Sequence, residues 1–135
     1  MIALDTNVLV RFLVQDDPAQ GATARRVIAS LAANVPGFIG REVMVELVWV
    51  LERAYGFARA EVAAAIGGLL AALEIEVEAA DDVGAALFRY RDEGFGFADL
   101  MIAAAARRAG ASKLVTFDRK AARIEGVELL EAPAG

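Results

Sequence analysis

The apolar positions of this chain fall in short runs, and each run is separated from the next by turn or cap residues. Met1 to Leu4 is a run of strand length that stops at Asp5, and it reads as a short buried strand. Thr6 to about Val14 reads as a helix. Asp17-Pro18 places a cap residue before a proline in the first helical turn, predicting a helix to about Ala33. "PGFIG" (36–40) is a short strand between turns, and "REVMVELVWVLERAYG" is a long helix ended by Gly56. Residues 58–73 form a further helix. "EIEVEA" (74–79) alternates as a strand does, and Asp81 or Asp82 caps a helix to about Glu93. After the break at "GFG", residues 97–110 are helical. "KLVTF" (113–117) is a strand, Asp118 onward a short helix, and "GVELLE" (126–131) a last strand.

Five short strands alternating with helices predict an α/β fold: a three-layer α/β/α sandwich around a mostly parallel, short-stranded sheet. The length, 135 residues, suits a single domain spanning 1–135 with a substantial core. No repeat, low-complexity segment or interdomain linker interrupts it. No apolar stretch reaches the roughly 18–20 residues of a membrane span. Asp5 comes too early for a signal peptide, so the expected location is the cytoplasm.

Composition narrows the chemistry. The chain has no Cys and no His. Thiol nucleophiles, Ser-His-Asp triads, imidazole bases and ordinary zinc sites are thereby excluded. Carboxylates without His favour a hard cation such as Mg2+ or Mn2+. The net charge of −5 does not exclude a nucleic-acid partner, because an acidic cluster holding divalent cations is largely neutralised by them. Among the 14 basic residues only Lys113 and Lys120 are not Arg, the residue suited to bidentate phosphate contacts.

Ligands of parallel sheets bind beyond the carboxyl ends of the strands. Asp5 and Asp118 fall there, Asp99 lies in the first turn of the helix after "GFG", and Glu46 sits among apolar residues of the helix from 41. Each alone has a structural reading: Asp5, or Thr6, and Asp118 as caps, Asp99 as a dipole partner, and Glu46 on a solvated stripe with Glu42 and Arg53. Four carboxylates in one crevice would repel one another strongly. A bound divalent cation relieves that repulsion and supports phosphodiester hydrolysis.

"LDTNVLVRFL", "VMVELVWVLERAYG", "FGFADLMIAAAARRAG" and "KLVTFDRKAA" occur in the order and spacing of the PIN-domain ribonucleases, and most resemble the VapC-type toxins of toxin–antitoxin pairs. The resemblance covers essentially the whole chain. It implies a metal-dependent endoribonuclease with Mg2+, or Mn2+, as cofactor. Carried over, the acidic site falls on Asp5, Glu46, Asp99 and Asp118, with Asp5, Asp99 and Asp118 holding the metal and Glu46 doing so directly or through water. Thr6, Asn7 and Thr116 support the site, Thr6 through its hydroxyl. The resemblance also implies RNA as substrate, a cognate antitoxin and a homodimer.

One position departs from the pattern. Gly96 stands where many relatives carry a polar or acidic residue, so one tightly held ion is expected. Arg11, Arg41, Arg119 and Lys120 are candidate backbone clamps, and Trp49 is expected in the core. Two other readings stay open: a degenerate PIN-like protein that binds RNA or a partner, and another metal-dependent phosphohydrolase. An aspartate-nucleophile phosphatase is disfavoured, because it needs a second acid where Asn7 stands.

Overall fold

Short apolar runs fold here into strands of two or three residues, and each of the first three is followed by a helix that buries its own apolar stripe. The computed structural model describes residues 1–134. Its order is β1 (Ile2–Ala3), α1 (Thr6–Leu13), α2 (Pro18–Ala29), β2 (Gly37–Ile39), α3 (Arg41–Arg53), α4 (Arg59–Ala71), β3 (Ile75–Val77), α5 (Ala80–Glu93), α6 (Phe97–Arg108), β4 (Leu114–Thr116), a 3-10 turn at Ala121–Arg123 and β5 (Val127–Leu129). All five expected strands are present and every strand pairing is parallel, as an α/β fold requires.

The strands form two sheets. β1, β2 and β3 are hydrogen-bonded in that order, with Ile2 opposite Gly37 and Gly37 opposite Ile75; β4 and β5 pair separately. β1 has only two residues in its ladder and pairs with β2 alone. It is also not buried as expected. Ile2 and Ala3 are exposed, and the run meets the core only at Leu4, which is 3% exposed. At Gly37 a Cβ would come within 2.8 Å of Leu31 Cδ1 and 3.1 Å of Leu4 Cδ1, so the missing side chain is what lets these leucines close over β2.

Two helix boundaries differ from expectation. α2 stops at Ala29, because residues 30–35 turn back through an antiparallel bridge between Ala32 and Val35. α5 starts one residue before Asp81, with Ala79 at its cap position in the left-handed conformation (φ 53°). Asp81 and Asp82 therefore lie inside the first turn, where the helix dipole favours them. Asp82 is drawn to α6 instead: its Oδ1 accepts from Arg108 Nη2 at 2.9 Å, and Arg41 of α3 lies 3.9 Å away.

The core is aliphatic. Leu9, Ile39, Met44, Leu47, Leu51, Val62, Ile66, Val83 and Met101 are almost wholly buried, so α1, α3, α4, α5 and α6 share one interior with the three-stranded sheet. Tyr90 is buried among them. The Arg59 guanidinium covers its ring at 4.4 Å and donates to the carbonyls of Tyr90 (2.8 Å) and Phe95 (2.7 Å). Burial, helped by the negative charge of Glu52, pushes the Tyr90 phenol up to about 12. The expectation for Trp49 fails: its side chain is 59% exposed on α3. The buried stripe of that helix is Met44, Leu47, Val48 and Leu51, and Trp49 falls off it.

Candidate active site

Asp5 follows β1 and starts α1. Its Oδ1 accepts the Thr6 backbone N–H at 2.8 Å, so it caps the helix as its sequence position allows. The Thr6 hydroxyl does not hold a carboxylate: Oγ1 is buried and has no hydrogen-bond partner. Asp5, Thr6, Asn7 and Glu46 line one open cavity of ≈ 310 Å³ together with Arg11 and Tyr55. Asp5, Asn7 and Glu46 are exposed to solvent there.

Glu46 also lines the neighbouring groove of ≈ 800 Å³ between α3 and α6, which runs past Trp49 to Gly96, Phe97 and Ala98. That groove leads to the first turn of α6, where Asp99 is half-buried. Burial raises the Asp99 carboxyl above its ordinary value, the charge of Asp118 raises it further, and Lys120 opposes both. Asp118 follows β4. Its backbone N–H donates to Thr116 Oγ1 at 3.0 Å, and its Oδ1 accepts from the Ala121 N–H at 2.8 Å, which fixes the loop. Thr116 and Asp99 line a common cleft against the 3-10 turn.

The four predicted acids fall into two pairs: Asp5 and Glu46 share one cavity, and the charge of Asp118 acts on Asp99. Among the described residues no three Asp, Glu, His or Cys side chains are grouped closely enough to hold one ion. A divalent cation fits this set in donor chemistry and charge. All donors are oxygens, and the mutual repulsion of Asp99 and Asp118 is what a cation would relieve. The side chains do not close around one ion.

The basic candidates separate on contact. Arg11 is engaged by Gln20 (2.7 Å), Asp16 (3.1 Å) and Tyr55 Oη (3.2 Å), and Arg41 donates to the Met101 carbonyl at 2.9 Å; both are tied into the fold. Lys120 is the basic group whose charge acts on Asp99. A Cβ at Gly96 would lie 2.8 Å from Asp99 Oδ2, so the two positions, three residues apart across the start of α6, are close in space.

The PIN domain family model matches residues 2–127, and the chain belongs to the PIN-domain family. Among solved structures the chain is similar to VapC20 of Mycobacterium tuberculosis, a Sarcin-Ricin loop cleaving toxin, with 24% identity, a TM-score of 0.45 and coverage of 96% of this chain and 98% of that chain. Comparison with curated proteins gives no match. No helix among the described residues is long and apolar enough to cross a membrane.

Proposed function

We infer that this PIN-domain chain is a metal-dependent endoribonuclease that hydrolyses RNA phosphodiesters, and that it is the toxin of a toxin–antitoxin pair. What supports the reading is the PIN family match, together with the cavity shared by Asp5 and Glu46 and the charge of Asp118 acting on Asp99. Asp5, Asp99 and Asp118 would hold Mg2+ or Mn2+, with Glu46 as a further ligand. Once bound, the ion supplies Lewis-acid activation of the scissile phosphate and of the attacking water. Glu46 orients that water. The Thr116–Asp118 bond holds the β4 loop, and Lys120 contributes positive charge for the phosphate. The toxin reading rests on the four sequence motifs. It adds a cognate antitoxin, a homodimer and a cytoplasmic location.

The test is cleavage of RNA with Mg2+ or Mn2+, arrested by EDTA. Asp5→Asn and Asp99→Asn should each lower the rate on the order of 100-fold or more while circular dichroism stays unchanged. Normal cleavage by these variants would refute the site. Expressed alone, the wild type should slow growth and Asp5→Asn should not.

The separation of the acids into two pairs favours one second reading: a PIN-like protein that binds RNA or a partner without cutting. RNA binding without cleavage at any Mn2+ concentration would establish it.

A further inference from the structure

Among the described residues lining the cavity of Asp5 and Glu46, one is basic: Arg11, on α1. Three segments hold its guanidinium. Nε donates to Gln20 Oε1 of α2 at 2.7 Å, and Nη1 donates to Asp16 Oδ1 at 3.1 Å and to Tyr55 Oη at 3.2 Å. The Tyr55 hydroxyl in turn donates to Asp16 Oδ2 at 2.9 Å, so the tyrosine after α3 braces both members of the ion pair. These bonds use Nε and Nη1. Nη2 has no hydrogen-bond partner among the described residues, and the side chain is 30% exposed. Arg11 and Asn7 also line a second cavity, of ≈ 580 Å³, between α1 and α2, so Arg11 stands where the two cavities adjoin.

We propose that Arg11 is a substrate-binding residue that grips a backbone phosphate of the RNA through Nη2, beside the Asp5–Glu46 cavity, and that Tyr55 is the positioning residue that holds it there. The inference rests on the ribonuclease reading above. A guanidinium offers planar donors suited to phosphate oxygens, and one already fixed at two nitrogens loses little freedom on binding. Asp16 offsets part of the charge. That pair is open to solvent on both sides and therefore weak, so the guanidinium still attracts an anion. Lys120 stands in the same relation to the other two acids, since its charge acts on Asp99. Each pair of acids thus has one basic neighbour. Past Asn7 and Arg11 the RNA strand leaves the acids for the cavity between α1 and α2.

The test is RNA binding by the full chain in an Asp99→Asn background with Mg2+, where bound RNA stays whole. The probes are fluorescein-labelled oligo(A) and oligo(U), with affinity followed by anisotropy across a salt series. Arg11→Gln should weaken both by about tenfold and by the same factor, because a phosphate contact carries no base preference. The slope of log affinity against log salt should become shallower by about 0.7, the value for one phosphate of a single strand. Tyr55→Phe keeps the ring and the charge of Arg11, so affinity should fall about threefold with the slope unchanged. Arg91→Gln removes the same charge from α5 and should alter neither reading. Unchanged affinity and slope in Arg11→Gln would reduce Arg11 to a tie between helices and overturn the inference. A loss confined to one oligonucleotide would make it a base contact and overturn it as well. If Arg11→Gln fails to fold by circular dichroism, Tyr55→Phe decides alone, and parental affinity there defeats the proposal. If the parent binds neither oligonucleotide, the ribonuclease reading fails and this inference with it. RNA cleavage by the wild type, with binding that ignores Arg11 and Tyr55, defeats this inference only.

Discussion

Two residues show how one position serves the fold and the site together. Asp5 ties Oδ1 to the Thr6 N–H, so its capping role is explicit, while its position beside Glu46 is what the proposed metal chemistry uses. Thr6 carries the opposite imbalance. Its hydroxyl is buried, 5% exposed as a residue, and makes no hydrogen bond, which is a cost that a methyl group of the same shape would not have. Thr6→Val should therefore leave stability unchanged or raise it by up to about 1 kcal/mol, measured by urea denaturation. A loss of 2 kcal/mol or more would show that the hydroxyl has a partner in solution. RNA cleavage by the same variant reports separately on whether the hydroxyl serves the site.

At the scale of elements, α3, α5 and α6 are joined where Asp82 meets Arg108 and Arg41. The Arg108 hydrogen bond holds the Asp82 carboxyl below its ordinary value of 3.8; burial opposes it, and the charges of Arg108 and then Arg41 add to the lowering. A carboxyl depressed on folding stabilises the native state above its unfolded value, and that contribution is lost as pH falls through the folded value. Asp82→Asn should lower Tm at about neutral pH, and the gap to the wild type should close as pH drops below 3.8. Thermal melts across that range check it; a gap independent of pH would remove the ion pair from the account. The same junction engages Arg41, which meets Asp82 and donates to the Met101 carbonyl while also lining the α3–α6 groove.

For the molecule as a whole, the chain's acidity matters most. With a net charge of −5 and the charge of Asp118 acting on Asp99, the protein carries a repulsion that the proposed divalent cation would relieve. Ligand binding to the native state alone raises stability by mass action, about 2.7 kcal/mol at a hundredfold excess over Kd. Mn2+ should therefore raise Tm, EDTA should reverse the rise, and Asp5→Asn should abolish most of it in a thermal-shift series. An equal rise in Asp5→Asn would place the ion elsewhere. The exposed Trp49 belongs to this scale as well, since it lines the α3–α6 groove together with Glu46.

The sequence by itself determined the order of five strands and their helices, and it named four candidate acids whose donors are all oxygens. Those follow from local periodicity, cap chemistry and the absence of His and Cys, none of which needs the chain to be folded. Only the tertiary structure decided that β4 and β5 pair apart from β1–β3, that Trp49 faces solvent and that α5 starts at Ala80. It also arranged the acids as two pairs and brought the Asp99 carboxylate beside Gly96. The reason is physical. Periodicity fixes which face of a helix is apolar, but only packing of one helix against another fixes how far apart two polar side chains stand, or what fills the space beside a glycine.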